Sequence, residues 1–256
     1  MKQVKTILTA VLTAALLSSC KKSIDVAPPP ATGTRLSKIE FSGGIVQLLT
    51  YNANGRLASF KANGQTLKYN YAASPFSYEI LDDANVLLYD IANAVFSSNR
   101  LTSYDFRGYN SSGVLNGAEQ TSLQYDANGY QISKSYGAYR YTYTIEGGNT
   151  TGILITDITT GSSRNTTIEY YTDKLNKLNV NLFEQWYQDH VLSDMEVMGT
   201  KNTHLPKKVI YNSTTYTQVT EFVYDLNANG LVNQYTATIT TNGGTPATYS
   251  ANFTYQ

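Results

Sequence analysis

The sequence contains one cysteine, one tryptophan and two histidines in 256 residues, and only 15% of it is charged. A single cysteine excludes a disulfide framework. Two histidines are too few for a His-rich metal set. Lys and Arg number 19, as do Asp and Glu, so no basic field exists to draw in nucleic acid. Neither a Gly-x-Ser-x-Gly elbow nor a phosphate-cradling loop is present. No cofactor and no metal are expected, and nucleophilic catalysis lacks support, with no cysteine after Cys20 and no such elbow. Paired carboxylates for glycoside cleavage are not excluded by sequence, because their spacing in space is invisible here. Tyrosine, in contrast, is abundant at 22 copies.

The N-terminus is set apart from the rest. Lys2 and Lys5 precede an apolar run from Ile7 to Leu17, which is short for a membrane span. Leu17-Ser18-Ser19-Cys20 closes it, an order that marks a secretory signal peptide. The cysteine at its end resembles the lipobox of bacterial lipoproteins, which implies cleavage before Cys20 and acylation of its thiol. Several acyl chains anchor stably, since each buried methylene adds about 0.8 kcal/mol. By the same resemblance, Lys21 in place of Asp implies transfer to the outer membrane of a Gram-negative cell, with surface or periplasmic orientation left open. Pro28-Pro29-Pro30 then reads as a semi-extended tether. The organisation expected is a signal peptide at 1–20, a tether at 21–33 and one domain at 34–256.

That domain is all-β. Tyr, Thr and Val favour pleated, half-buried surfaces, and many segments alternate with a period of two. Tyr139, Tyr141, Tyr143 and Ile145 share one face, with Arg140, Thr142 and Thr144 on the other. The same alternation predicts strands at 35–42, 45–51, 56–61, 65–71, 100–107, 119–126, 130–136, 152–158, 166–171, 207–211, 215–225 and 231–240, and a last one through Tyr249, Ala251, Phe253 and Tyr255. Gly and Asn clusters between them serve hairpins. The expected fold is a large antiparallel meander sheet curled into an open or closed barrel. Two stretches resist. Asp82 to Phe96 fits a helix face or a hairpin, and Tyr171 to His190 reads as a longer connection with a helical turn.

One short pattern recurs: Tyr51-Asn-Ala-Asn-Gly55, Tyr125-Asp-Ala-Asn-Gly129 and Tyr224-Asp-Leu-Asn-Ala-Asn-Gly230. The last matches half of an EF-hand loop, but its twelfth position is Thr236 rather than a bidentate Glu. The other two supply at most one carboxylate. A hairpin device with Asn-Gly in a type I′ turn is the reading that fits all three. The units resemble tyrosine-aspartate (YD) repeats, though without a constant period, so no long repeat shell follows. Together with the lipobox, Tyr170-Tyr171-Thr-Asp173-Lys174-Leu-Asn176-Lys177 and Asn202-Thr-His204-Leu205-Pro206-Lys207-Lys208, they resemble a family of bacterial lipoproteins of unknown function with a porin-like fold. That resemblance implies a curved or barrel-like sheet and brings no chemistry with it.

A membrane-spanning pore is not supported. Spanning strands need a continuous apolar face of about 9–11 residues; in 231–240 one face carries Asn233 and Tyr235, and the other Gln234 and three threonines. The residues singled out for ligand binding are Glu184, Trp186, Asp189 and His190, where Trp186 would stack on a sugar ring and the polar groups would bond its hydroxyls. Against this, Trp186 can serve as a plug for one end of the sheet. His204 reads as a turn residue. The function expected is a lipid-anchored, non-catalytic envelope protein that binds or scaffolds a glycan or envelope partner, with the membrane engaged through Cys20. The alternative is a carbohydrate-binding or carbohydrate-cleaving lipoprotein.

Overall fold

Hydrogen bonding from each strand to its chain neighbour, and from the last strand back to the first, organises the described residues. This computed structural model describes residues 34–71, 76–178 and 199–256. The strands are β1 (Leu36–Phe41), β2 (Val46–Tyr51), β3 (Leu57–Ala62), β4 (Gln65–Asn70), β5 (Ser77–Asp82), β6 (Leu87–Ser97), β7 (Arg100–Tyr109) and β8 (Leu115–Tyr125). They continue as β9 (Gln131–Tyr136), β10 (Tyr139–Glu146), β11 (Asn149–Asp157), β12 (Ser163–Leu175), β13 (His204–Asn212), β14 (Thr217–Leu226), β15 (Val232–Thr241) and β16 (Ala247–Tyr255). All neighbours are antiparallel, and β16 pairs with β1 through Phe253 opposite Ile39 and Ala251 opposite Phe41. The barrel is closed with 16 strands.

Alternation along each strand sorts residues into two environments. Ile39, Leu67, Leu123, Ile155, Val209 and Phe222 point inward and are buried. Their strand neighbours Lys38, Thr66, Ser122, Thr156, Lys208 and Glu221 point outward. Several outward apolar residues face polar partners on the adjoining strands, although Ile210 lies opposite Val219. Leu48 faces Lys38 and Lys61, Leu154 faces Thr142 and Asn165, and Val223 faces Thr236. A transmembrane barrel has the reverse arrangement, an apolar band outside and a polar lumen. In β15 the inward set is Tyr235, Ala237 and Ile239, and the outward set is Gln234, Thr236, Thr238 and Thr240.

The three Asn-Gly units are hairpins, but not of the type I′ expected. In each, only the Gly has positive φ (84° at Gly55, 89° at Gly129, 72° at Gly230). The side chain two residues before the Asn-Gly pair, Asn52, Asp126 or Asn227, instead bonds the N–H four residues on, at 2.8–3.0 Å. This is a type I turn closed by a left-handed glycine bulge, and the register shifts at Tyr51, Tyr125 and Leu226. Asp82–Val86 and Asn110–Val114 make the same turn without the Asn-Gly sequence. The carboxylate of Asp126 thus serves the backbone, and that of Asp225 accepts from Asn233 at 3.3 Å. Type I′ conformations occur at Asn63-Gly64, Gly147-Gly148 and Asn242-Gly243, where both residues have positive φ.

Other expectations are corrected too. The stretch 82–96 is neither a helix nor a complete hairpin: it is the turn after β5 followed by the single strand β6, which runs to Ser97. β5 has no counterpart among the strands that alternation predicts. β12 is longer than expected, running to Leu175. His204 does not sit in a turn; it opens β13, its N–H donating to Asn149 Oδ1 at 2.9 Å.

Candidate functional site: the open mouth of the barrel

The two ends of the barrel differ. β1 begins at one of them, the entry end, where even strands turn into odd ones. Here Leu36 and Leu101 are fully buried, with Leu57, Leu178 and Leu205 close to it. The connection between β12 and β13 touches three turns at this end. Lys177 Nζ donates to Asn229 O at 2.7 Å, Thr200 Oγ1 to Asn128 O at 2.9 Å, and Thr203 N–H to Gly148 O at 3.0 Å. Lys201, half buried there, has its pKa lowered by burial.

A tyrosine clasp repeats around the same end. Tyr51, Tyr125, Tyr170 and Tyr255, near the ends of even strands, donate their hydroxyls to Leu36, Leu101, Thr150 and Val232 carbonyls at 2.6–2.8 Å. In two of these units an arginine completes the arrangement. The Arg35 and Arg100 guanidinium carbons lie 5.5 and 5.8 Å from the Tyr51 and Tyr125 ring centroids, and the guanidinium groups occupy the space a Cβ would take at Gly55 and Gly129. The glycine therefore does two jobs: it takes positive φ and leaves room for the cation.

The far end, where odd strands turn into even ones, is open. The same inward face that is buried near the entry end is here exposed: Tyr89 to 41% and Tyr139 to 39%. Aromatic groups follow one another along this wall. Tyr89 stacks on Phe106 (centroids 5.2 Å apart), and Phe106 meets Tyr136 edge-on at 6.1 Å. Tyr136 pairs across the strands with Tyr139, whose ring lies 5.8 Å from the Arg164 guanidinium. Tyr211, whose pKa is raised chiefly by burial, faces Tyr216 at 5.3 Å. Below the rim, the buried Lys134 places its ammonium 5.9 and 5.5 Å from the Tyr136 and Tyr141 rings.

Two acidic groups lie beside the Phe106–Tyr139 wall, while Asp82 and Asp83 in the β5–β6 turn at the same end serve their own turn and an ion pair with Lys61. Glu119 points inward opposite Phe106, and its carboxylate lies against Gly137, in the turn joining Tyr136 to Tyr139. Asp157, opposite Tyr139, is committed to its own turn. It accepts from Thr159 N–H at 2.8 Å and Thr160 N–H at 3.1 Å, and these bonds hold its pKa below the ordinary carboxylate value.

Glu184, Trp186, Asp189, His190 and Cys20 lie outside the described residues, so the structure neither assembles nor separates that set. The mouth residues were not singled out from sequence. Tyr139 was placed on a shared face with Tyr141 and Tyr143, but alternation does not tell which end of a barrel is filled.

Fold and mouth together define a closed antiparallel barrel with an apolar interior, a polar exterior and one open, aromatic end. A porin-like protein from Bacteroides uniformis ATCC 8492 has a similar solved structure. Its TM-score is 0.63 at 17% identity, over 89% of this chain and 99% of that one. A porin-like protein from Bacteroides vulgatus ATCC 8482 is similar at TM-score 0.58 and 14% identity, over 87% of this chain and 99% of that one. Likeness at these identities establishes the fold. No family model and no curated protein matches the chain.

Proposed function

We propose that this protein is a lipid-anchored, non-catalytic binding module of the Gram-negative envelope, with its barrel in water and its open end turned away from the membrane. The observation that carries this reading is the sorting of residues across the barrel wall. Among the described residues the outward face is dominated by Thr, Ser, Lys, Gln and Glu and carries its exposed apolar residues without the continuous band that lipid requires, which favours attachment by another route. The Cys20 lipobox supplies it. β1 begins at the entry end, so an anchor preceding it in the chain favours a mouth that faces away from the membrane. The porin-like neighbours are consistent with an envelope setting. A non-catalytic role is supported by the commitment of Asp157 to the backbone N–H groups of its own turn, which makes it a poor partner for Glu119 in acid and base work.

Fractionation of Gram-negative cells expressing the full chain and Cys20→Ala tests the proposal. The parent is expected in the detergent phase with the outer membrane, and the variant in the aqueous phase. A Cys20→Ala chain that stays membrane-bound through alkaline carbonate washing would contradict it.

A further inference from the structure

We infer that the open end binds a neutral glycan, with Tyr139 as the central stacking platform between Glu119 and Arg164. This deepens the binding-module reading above and rests on it.

Four observations converge. First, the wall offers aromatic faces to water, where an unliganded core would bury them: Tyr89, Tyr139 and Tyr216 are 41%, 39% and 38% exposed. A tyrosine presents an apolar body and a polar tip, which suits a sugar's apolar ring face and its hydroxyl rim. Second, the platform is flanked by hydrogen-bonding groups of both kinds. Arg164 lies over Tyr139, and Glu119 reaches the Gly137 turn beside it. The guanidinium donates, the carboxylate accepts, and a sugar hydroxyl can do either. Third, the charges around the platform balance, Arg164 and Lys134 against Glu119 and Asp157, so the platform favours neither an anionic nor a cationic ligand. Fourth, the barrel has no free strand edge on which an extended peptide could add itself. An arc spanning β6 to β13 also suits an oligosaccharide better than a single small molecule.

The test is calorimetric titration of the full chain, held in a sugar-free detergent, with five neutral hexasaccharides: maltohexaose, cellohexaose, xylohexaose, mannohexaose and N-acetylchitohexaose. At least one is expected to bind. Tyr139→Thr, which keeps a strand-compatible residue, should weaken that binding about ten-fold or more, the scale of one lost stacking contact. Tyr139→Phe should retain it within about three-fold, and Glu119→Gln should weaken it several-fold. Arg140→Ala, on the outer face of the same strand, should change nothing. Absence of binding by all five sugars overturns the inference. So does binding that Tyr139→Thr leaves intact while Trp186→Ala abolishes it, because the site would then lie on the β12–β13 connection. If binding survives Glu119→Gln unchanged, the mouth is a general aromatic surface and the glycan assignment fails. Fractionation of Cys20→Ala reads anchoring alone, so a failure there leaves these titrations standing, and the reverse holds as well.

Discussion

The Tyr125 hydroxyl donates to the Leu101 carbonyl oxygen at 2.8 Å, tying the end of β8 to the start of β7. With Arg100 over the Tyr125 ring and its guanidinium against Gly129, this bond gives the recurring Tyr-x-x-x-Gly unit its physical meaning. The tyrosine and glycine hold the entry end of the barrel together. Tyr125→Phe keeps the ring and removes only the hydrogen bond, so it should cost about 1 kcal/mol, read as a lowered denaturant midpoint at unchanged slope. A midpoint equal to the parent's would mean that the bond has no net value.

Gly113 and Gly129 separate two effects. Both have positive φ, 74° and 89°, but a Cβ at Gly113 meets nothing within 4 Å, while one at Gly129 meets the Arg100 guanidinium. Valine at either position incurs the strain of a β-branched residue at positive φ. Gly129→Val should therefore cost about 1–3 kcal/mol, and more than Gly113→Val. Equal losses would show that the cation moves aside freely. A calcium chelator should leave both melting temperatures unchanged, because the Asx oxygens of these turns are bonded to backbone.

Alkaline pH should unfold the barrel cooperatively. Burial raises the pKa of Tyr170, Tyr224 and Tyr235 above the ordinary 10, and that of Tyr255 to about 12. Their folded pKa values lie above the unfolded ones, so their contribution to stability is intact below pH 10 and is lost as pH climbs from 10 through the folded values. Tyrosinate absorbance of these groups should appear together with loss of the β-sheet circular dichroism signal. Titration of all 22 tyrosines near pH 10 with the fold intact would contradict their burial.

The sheet was largely legible from sequence, and the exceptions have identifiable causes. Fourteen of the strands follow from alternation, because each has one face in the interior and one in water. β6 was obscured by an irregularity. Asn93 takes a φ of 52° and the register shifts between Ala92 and Val95, which resets the phase and gives Leu87, Leu88, Ile91 and Val95 a helix-like spacing. Turn type was misjudged because Asn-Gly suits two hairpin geometries. What decides between them is the Asn or Asp two residues earlier, whose side chain takes over the backbone bond at the bulge. The mouth could not be read at all. Tyr139 and Tyr141 occupy the same face at adjacent inward positions, yet one is 39% exposed and the other 7%. That difference depends on how far the interior is filled along the barrel axis, a property of all strands together.

The polar exterior is the central claim, and sedimentation velocity of the Lys21–Gln256 chain carrying no acyl group, in buffer without detergent, tests it most directly. A single folded species that gains no detergent mass when micelles are added is expected. A chain that precipitates until a detergent belt surrounds it would place the barrel wall in lipid and contradict the account.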